Sequence, residues 1–195
     1  MTPRIERGQA TRQRIVGTAA GLFAELGYEA TSVEMVLRDS GVSRGALYHH
    51  FDSKEALFEA VLEQVEAEVA DATVVASRGI ADPVEALRAG CYAFLDLAGL
   101  GRVRQIVLID APAVVGWEKW RAIDARHGFG LLKASLAAAT AQRRLSPALL
   151  EVLAHMLLAA LIEIAMLIAR AADPPAATEV GRAGLGELID RLLRA

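Results

Sequence analysis

The chain of 195 residues is short of several things at once. It has a single cysteine, Cys91, so no disulfide can close within it, and such usage fits a reducing compartment. It has only 6 prolines, and long runs rich in Ala, Leu, Glu and Arg lie between them. No stretch alternates apolar and polar residues between regularly spaced turns, which argues against a sheet. There is no internal repeat and no low-complexity region. The opening residues, MTPRIERGQATRQR, hold no apolar run of the kind a secretory leader needs, so the cytoplasm is the expected location. Enzyme signatures are missing too: there is no nucleophile elbow, phosphate-binding loop, metal quartet or catalytic pair. No cofactor and no metal are expected, and a small helical enzyme is only a remote alternative.

What remains predicts an all-α protein with room for one or two small domains. The net charge is −3, which by itself speaks against a nucleic-acid partner. The distribution says more. Residues 1–14 carry Arg4, Arg7, Arg12 and Arg14 against Glu6 alone, a basic arm that can follow phosphates or enter a minor groove. An unordered leader is the alternative for Met1 to Gly8. Residues 55–71 carry Glu55, Glu59, Glu63, Glu66, Glu68 and Asp71 and no Lys or Arg. Glu55, Glu59 and Glu63 are four apart and share a helix face. A solvated face turned away from DNA is the plainer reading of that run; a site for a cationic ligand is the alternative.

The stretch Thr31 to Lys54, TSVEMVLRDSGVSRGALYHHFDSK, is the most informative. Thr31 and Glu34 fit a capping box, which starts a helix near Ser32. Val33, Val36 and Leu37 give it a short apolar face. Gly41 can take the positive φ of a helix end, and Val42 can plug the corner. Ser43 can cap a second helix over about 44–51, with Leu47 and Phe51 pointing inward. Two short helices joined so tightly are the shape that puts a helix into the DNA major groove. Arg44 can make a bidentate contact to guanine. Thr31, Ser43, Tyr48 and Lys54 can donate to phosphate oxygens. A plain helical hairpin with a solvated face is the alternative.

The run GVSRGALYHHFDSKEALFEAVL resembles the signature of the tetracycline-repressor (TetR/AcrR) family. Thr31, Gly41, Val42, Ser43, Gly45, Leu47, Tyr48, His50, Phe51, Lys54, Glu55 and Leu57 carry the resemblance. TRQRIVGTAAGLFAELGYEATSV is similar to that family's first helix and turn, so the likeness covers about residues 8–62. It implies an N-terminal three-helix helix-turn-helix domain over 1–54 (arm 1–8, helices about 9–26, 32–40 and 44–51). A helical ligand-binding and dimerisation domain is then expected over 55–195. The expected DNA-contacting set is Thr31, Ser32, Ser43, Arg44, Gly45, Ala46, Tyr48, His49, His50 and Lys54. Leu37 and Ser40 depart from the family, which usually has alanine at both positions.

Beyond residue 54 the chain parses into helices. One runs over about Ser53 to Ser77. Asp82-Pro83 with Glu85 starts another, with Leu87, Cys91, Phe94 and Ala98 inward and Glu85, Arg88, Tyr92 and Asp96 on its polar side. A short helix, Arg102 to Asp110, is expected to end at Pro112. A long one, Gly116 to Ala141, carries Trp117, Trp120, Ile123, His127, Leu131 and Ala134 on one stripe. Ser146-Pro147 starts a helix to about Ala172, and a last helix is expected over about Ala177 to Leu193. The segment 152–171 is long enough to span a bilayer. His155, Glu163 and Arg170 interrupt it, and such groups are costly in lipid, so no membrane is expected. A helix apolar on nearly all sides must be covered on both. Leu153, Leu157, Ala160, Leu161, Ile164 and Ile168, with Leu185, Leu188, Ile189 and Leu192 of the last helix, are therefore candidates for a homodimer interface. Cys91, Phe94, Trp117, Trp120, His127, Phe129, His155, Met156 and Glu163 are candidates for a pocket that takes an unidentified small, largely apolar effector. The expected function is a ligand-responsive regulator, repressor-like, binding a double-stranded, pseudo-palindromic operator. A DNA-binding regulator with no small-molecule input is the main alternative.

Overall fold

The computed structural model describes residues 3–193, and side chains over 7–193. Among the described residues every regular element is helical, as the sequence predicts. The α-helices are α1 (Pro3–Ala30), α2 (Val33–Ser40), α3 (Arg44–His50), α4 (Lys54–Ser77), α5 (Pro83–Ala98), α6 (Ala111–Val114), α7 (Trp117–Asp124), α8 (Gly130–Ala139), α9 (Pro147–Arg170) and α10 (Pro174–Leu193). π-helical stretches precede α6 (Val103–Asp110) and α8 (Ala125–Phe129). Two units emerge: Met1–Val65 with Gly101–Trp120, and Glu66–Leu100 with Arg121–Ala195. The expected division after residue 54 falls at the start of α4, whereas the units divide inside that helix. Leu57, Phe58, Val61, Leu62 and Val65 of α4 are buried, so its first half belongs to the core of the first unit.

In the first unit, α1 packs on α2, α3 and the stretch Val103–Asp110. Its Ile15, Val16, Ala19, Ala20 and Phe23 are buried, as are Val36, Leu47 and Phe51. The stretch expected as an arm is helical from Pro3 onward; Met1, Thr2 and the side chain of Arg4 lie outside the described residues. Helical geometry breaks at Gly27, whose φ of 79° is left-handed. The cap of α2 is Ser32, whose Oγ accepts from the Met35 amide at 3.2 Å. Thr31 is turned inward instead, and its hydroxyl donates to the Gly27 carbonyl at 2.8 Å. A buried carbonyl freed by the break at Gly27 needs a donor, and Thr31 supplies it. Gly41 closes α2 with φ 65°, and Val42 is buried at the corner. Ser40 has a use there: it is buried, and its Oγ accepts from the Val42 amide at 3.4 Å.

In the second unit, α5 packs on α8, α9 and α10, and α9 on α8 and α10. Asp82 caps α5 through the Val84 amide at 2.8 Å. Ser146 caps α9 through the Leu149 amide at 3.2 Å. The polar side of α5 is held by ion pairs: Arg88 to Asp190 at 2.6 Å and Asp96 to Arg182 at 3.1 Å. α10 starts at Pro174, earlier than expected. Asp173 accepts from the Ala176 amide at 3.1 Å, and a helix's first turn has no use for the amides that Pro174 and Pro175 lack.

Two expectations fail for one reason. Pro112 does not end its helix, and the stripe from Trp117 does not continue to Leu131 and Ala134. In both places the chain widens into π turns. The Ala111 amide bonds five residues back to the Ile106 carbonyl, which makes room for a proline ring that a regular turn would exclude. Between α7 and α8 the wider turn inserts one residue. Trp120, Ile123 and Asp124 are buried before it, Leu136 and Thr140 after it, while Leu131 and Ala134 are exposed.

Candidate nucleic-acid interface and ligand cavity

The outward side of α3 carries Arg44, Gly45, Tyr48 and His49, all exposed, with Ala46 and His50 half-buried. Leu47 and Phe51 hold the helix from beneath. Ser43 caps it through the Ala46 amide at 3.2 Å, at an exposed helix start suited to a phosphate. An added Cβ at Gly45 would meet nothing within 4 Å. The glycine is therefore not demanded by the fold, and it leaves a low point on the surface where a groove could approach. Arg44 donates to Glu34 Oε1 at 2.8 Å, tying α3 to α2. That hydrogen bond holds the Glu34 carboxyl below its usual range. The pair is exposed, so it orients the guanidinium without locking it.

Lys54 stands at the start of α4, its ammonium 4.0 Å from the centre of the Tyr28 ring. Tyr28 packs against Phe23 and Phe58 at ring separations of 5.8 and 5.1 Å. Burial, and then Glu55 and Glu29, push its phenol pKa up. The Asp110 carboxylate accepts from the Tyr28 amide at 2.8 Å and from Gln105 Nε2 at 3.0 Å. The platform beneath Lys54 is thus fixed from the Val103–Asp110 stretch. Arg12 of α1 lies 5.2 Å from the Phe51 ring centre, which extends the basic side beyond α3. Thr31 is the exception in the expected set: its hydroxyl is spent inside the fold and is buried, so it supports the turn and presents no donor to a phosphate.

The second unit holds a cavity of about 110 Å³. Helices α4, α5, α8 and α9, with Asp124 and Gly128, form its wall. Val69, Leu87, Phe94, Leu132, Leu158 and Leu161 make it mainly apolar. Glu66 and Asp124 also line it, and both are buried. Asp124 Oδ2 accepts from Arg121 at 3.1 Å. Burial outweighs that attraction and the smaller one from His127, and raises the Asp124 pKa to about 6. Cys91 is in the wall, with its thiol pushed up to about 12 by burial, which makes it a packing residue rather than a reactive one.

A family model described as "Bacterial regulatory proteins, tetR family" matches residues 15–61, and one described as "Tetracyclin repressor-like, C-terminal domain" matches residues 84–192. The chain belongs to the TetR family. A TetR-family transcriptional regulator from Pectobacterium atrosepticum is 31% identical, with 100% of this chain and 99% of that one covered and a TM-score of 0.85. The transcriptional repressor AcnR of Corynebacterium diphtheriae is 42% identical over 71 residues; the match spans 36% of each chain. RolR, solved in complex with the ligand resorcinol, shares the fold at 17% identity and a TM-score of 0.71 over 94% of this chain and 89% of that one. The TetR family is one of DNA-binding transcriptional regulators, not of enzymes.

For a TetR-family chain the expected pocket residues scatter. Cys91 and Phe94 line the cavity. Trp117 is exposed, edge-on to the buried Trp120 at 4.8 Å, and neither lines it. His127 is half-buried and acts on Asp124 from outside the wall. Phe129 stacks on His155 at 4.2 Å, and His155 is exposed beside Glu151 at 3.6 Å. Met156 and Glu163 are exposed on the outer side of α9. Glu66 and Asp124 were missed as wall residues. The signal for Glu66 was its place among Leu62, Val65, Val69 and Ala70 at helical spacing; Asp124 likewise follows Trp120 by four.

The interface candidates need correction too. Leu157, Leu161, Ile168, Leu185 and Ile189 are buried within the chain and have nothing left for a partner. Leu153, Ala160, Ile164 and Leu192 are half-buried, and Leu188 is exposed. α9 is apolar all round, so its pattern does not say which stripe faces in. The stripe left outside is Val152, Met156 and Leu167, with Val180 and Leu188 on α10, Val180 being 74% exposed. α9 is also the one helix among the described residues long and apolar enough to cross a membrane; half of its most apolar window is buried in the fold.

Proposed function

We propose that the protein is a ligand-responsive repressor of the cytoplasm that binds a pseudo-palindromic operator as a homodimer and leaves it when a small effector binds. The observation that carries this reading is that one chain joins an outward-facing recognition helix to a mainly apolar cavity. A regulator without small-molecule input has no need of the second. Arg44, Gly45, Ala46 and His49 read base edges, while Ser32, Ser43, Tyr48, His50 and Lys54 position the helix on phosphates. The outer stripe of α9 and α10, from Val152 to Leu188, meets its twofold copy, since such a stripe is best covered by the same surface of a second chain. The resorcinol in RolR and the name of AcnR as a repressor support ligand response and repression.

Release works as a population shift: the effector favours a form whose two recognition helices no longer match successive grooves. A coupling of about 1–3 kcal/mol is the usual size. α4 is the lever, with Lys54 at one end and Glu66, Val69 and Thr73 in the cavity wall. The test is selection of bound duplexes from a random pool. Two related half-sites about 10 base pairs apart are expected, with a dimer in sedimentation at micromolar concentration. A monomer, or a motif with one half-site only, would sink the twofold reading.

A further inference from the structure

The charge on the cavity wall has one sign. We infer that the effector is a small organic cation, a mainly apolar amine whose protonated nitrogen is held by the carboxylates of Glu66 and Asp124. This rests on the proposed ligand response and names its chemical class. Glu66 and Asp124 are 3% and 6% exposed, and both line the cavity. No Lys, Arg or His is among the lining residues. The other polar side chains of the wall, Thr73, Ser77 and Ser135, can accept as well as donate. The charge-bearing side chains of the wall, Glu66 and Asp124, are therefore both acids.

The groups that act against burial at Asp124, Arg121 at 3.1 Å and to a smaller extent His127, lie outside the lining. They offset Asp124 in part, yet burial still holds its pKa up at about 6. A carboxylate in that state gains from a cation placed on its open side. An anion would add a second like charge, and a neutral molecule would fill the apolar wall while leaving the acids as they are. The apolar part of the wall, Val69, Leu87, Phe94, Leu132, Leu158 and Leu161, suits a single ring or a short alkyl chain. In sequence Glu66 looks like one more member of a solvated acidic run. Its burial separates it from Glu55, Glu68 and Asp71, which are exposed.

The test uses three molecules of one shape: benzylamine, benzyl alcohol and benzoate. Affinity is measured by calorimetry, and operator binding is followed in the same samples. Benzylamine should bind at least tenfold more tightly than benzyl alcohol, and benzoate most weakly. Glu66→Gln and Asp124→Asn are made separately, so that one misfolded variant does not end the test. Each should shrink the amine's advantage over the alcohol while leaving the alcohol's own affinity within a few-fold. Benzyl alcohol or benzoate binding as tightly as the amine overturns the charge selection but leaves ligand response standing. So does an advantage unchanged in both variants. Selective benzylamine binding with no effect on operator affinity supports the cation site and overturns the ligand-responsive reading. Binding of none of the three at millimolar concentration overturns the inference.

Discussion

Arg44 and Asp124 are each paired with an opposite charge at similar distance, 2.8 Å to Glu34 and 3.1 Å to Arg121. The pairs do opposite work. The Arg44 pair lies in solvent, where water and salt weaken it. Another acceptor could replace Glu34 at little loss. In the other pair Asp124 is buried and Arg121 only half-buried, and the attraction does not repay the lost hydration of the carboxylate. One region is built to let go of its partner; the other is left wanting one. Exposure, more than residue type or distance, decides what an ion pair is for.

That contrast can be broken at several points, in descending order of effect. Phe58→Ala removes a fully buried ring that packs on Phe23 and Tyr28. It should cost about 3–5 kcal/mol in urea unfolding. Operator affinity should fall with it, because the platform under Lys54 goes too. Intact DNA binding at full occupancy of the folded state would show that the exposed surface does not depend on that platform.

Asp124 comes next. Its folded pKa of about 6 is above the ordinary aspartate value of 3.8, so between those values the folded chain binds a proton that the unfolded chain has released. Stability should therefore fall as pH rises from about 4 to about 6, by on the order of 3 kcal/mol, and level off above. Asp124→Asn should flatten that part of the curve in pH-dependent thermal unfolding. A slope of the opposite sign, or one unchanged in the variant, would put the carboxylate in a better-solvated place than its burial indicates.

Arg44→Ala should weaken operator binding by about 1–3 kcal/mol, roughly ten- to hundredfold, and non-specific binding much less. Equal losses on both would mark Arg44 as a phosphate contact. The smallest effect belongs to Lys54→Ala. The slope of log affinity against log salt should become shallower by about 0.9, one phosphate's worth, with sequence preference unchanged.

The head was largely legible because its signals are local. Gly41, Val42, Ser43, Leu47 and Phe51 each do what their spacing announces. Thr31 and Ser32 were confused because both can cap a helix. The break at Gly27, which decides between them, is accompanied by a tertiary contact that local spacing does not announce: Asp110 accepting the Tyr28 amide. The body was legible as helices but not as faces. α9 is apolar on every side, so its buried stripe, Leu157, Leu161 and Ile168, could not be told from its exposed one, Val152, Met156 and Leu167. Glu66 was lost among other acids because composition counts charge without regard to direction.

The wide turn at Ala125–Phe129 has a consequence for how this chain can vary in length. A regular helix fixes direction by counting, so adding or removing one residue swings everything beyond it by about 100°. At a π turn the surplus residue is already absorbed. Removing one residue there should restore a plain helix and leave Trp120 and Ile123 on one side, Leu136 and Thr140 on the other, with the neighbours they have now. The same deletion made within α8 would carry Thr140 out of the core. Ala125–Phe129 is thus a seam at which the gene can lose a codon without the protein losing its bearings.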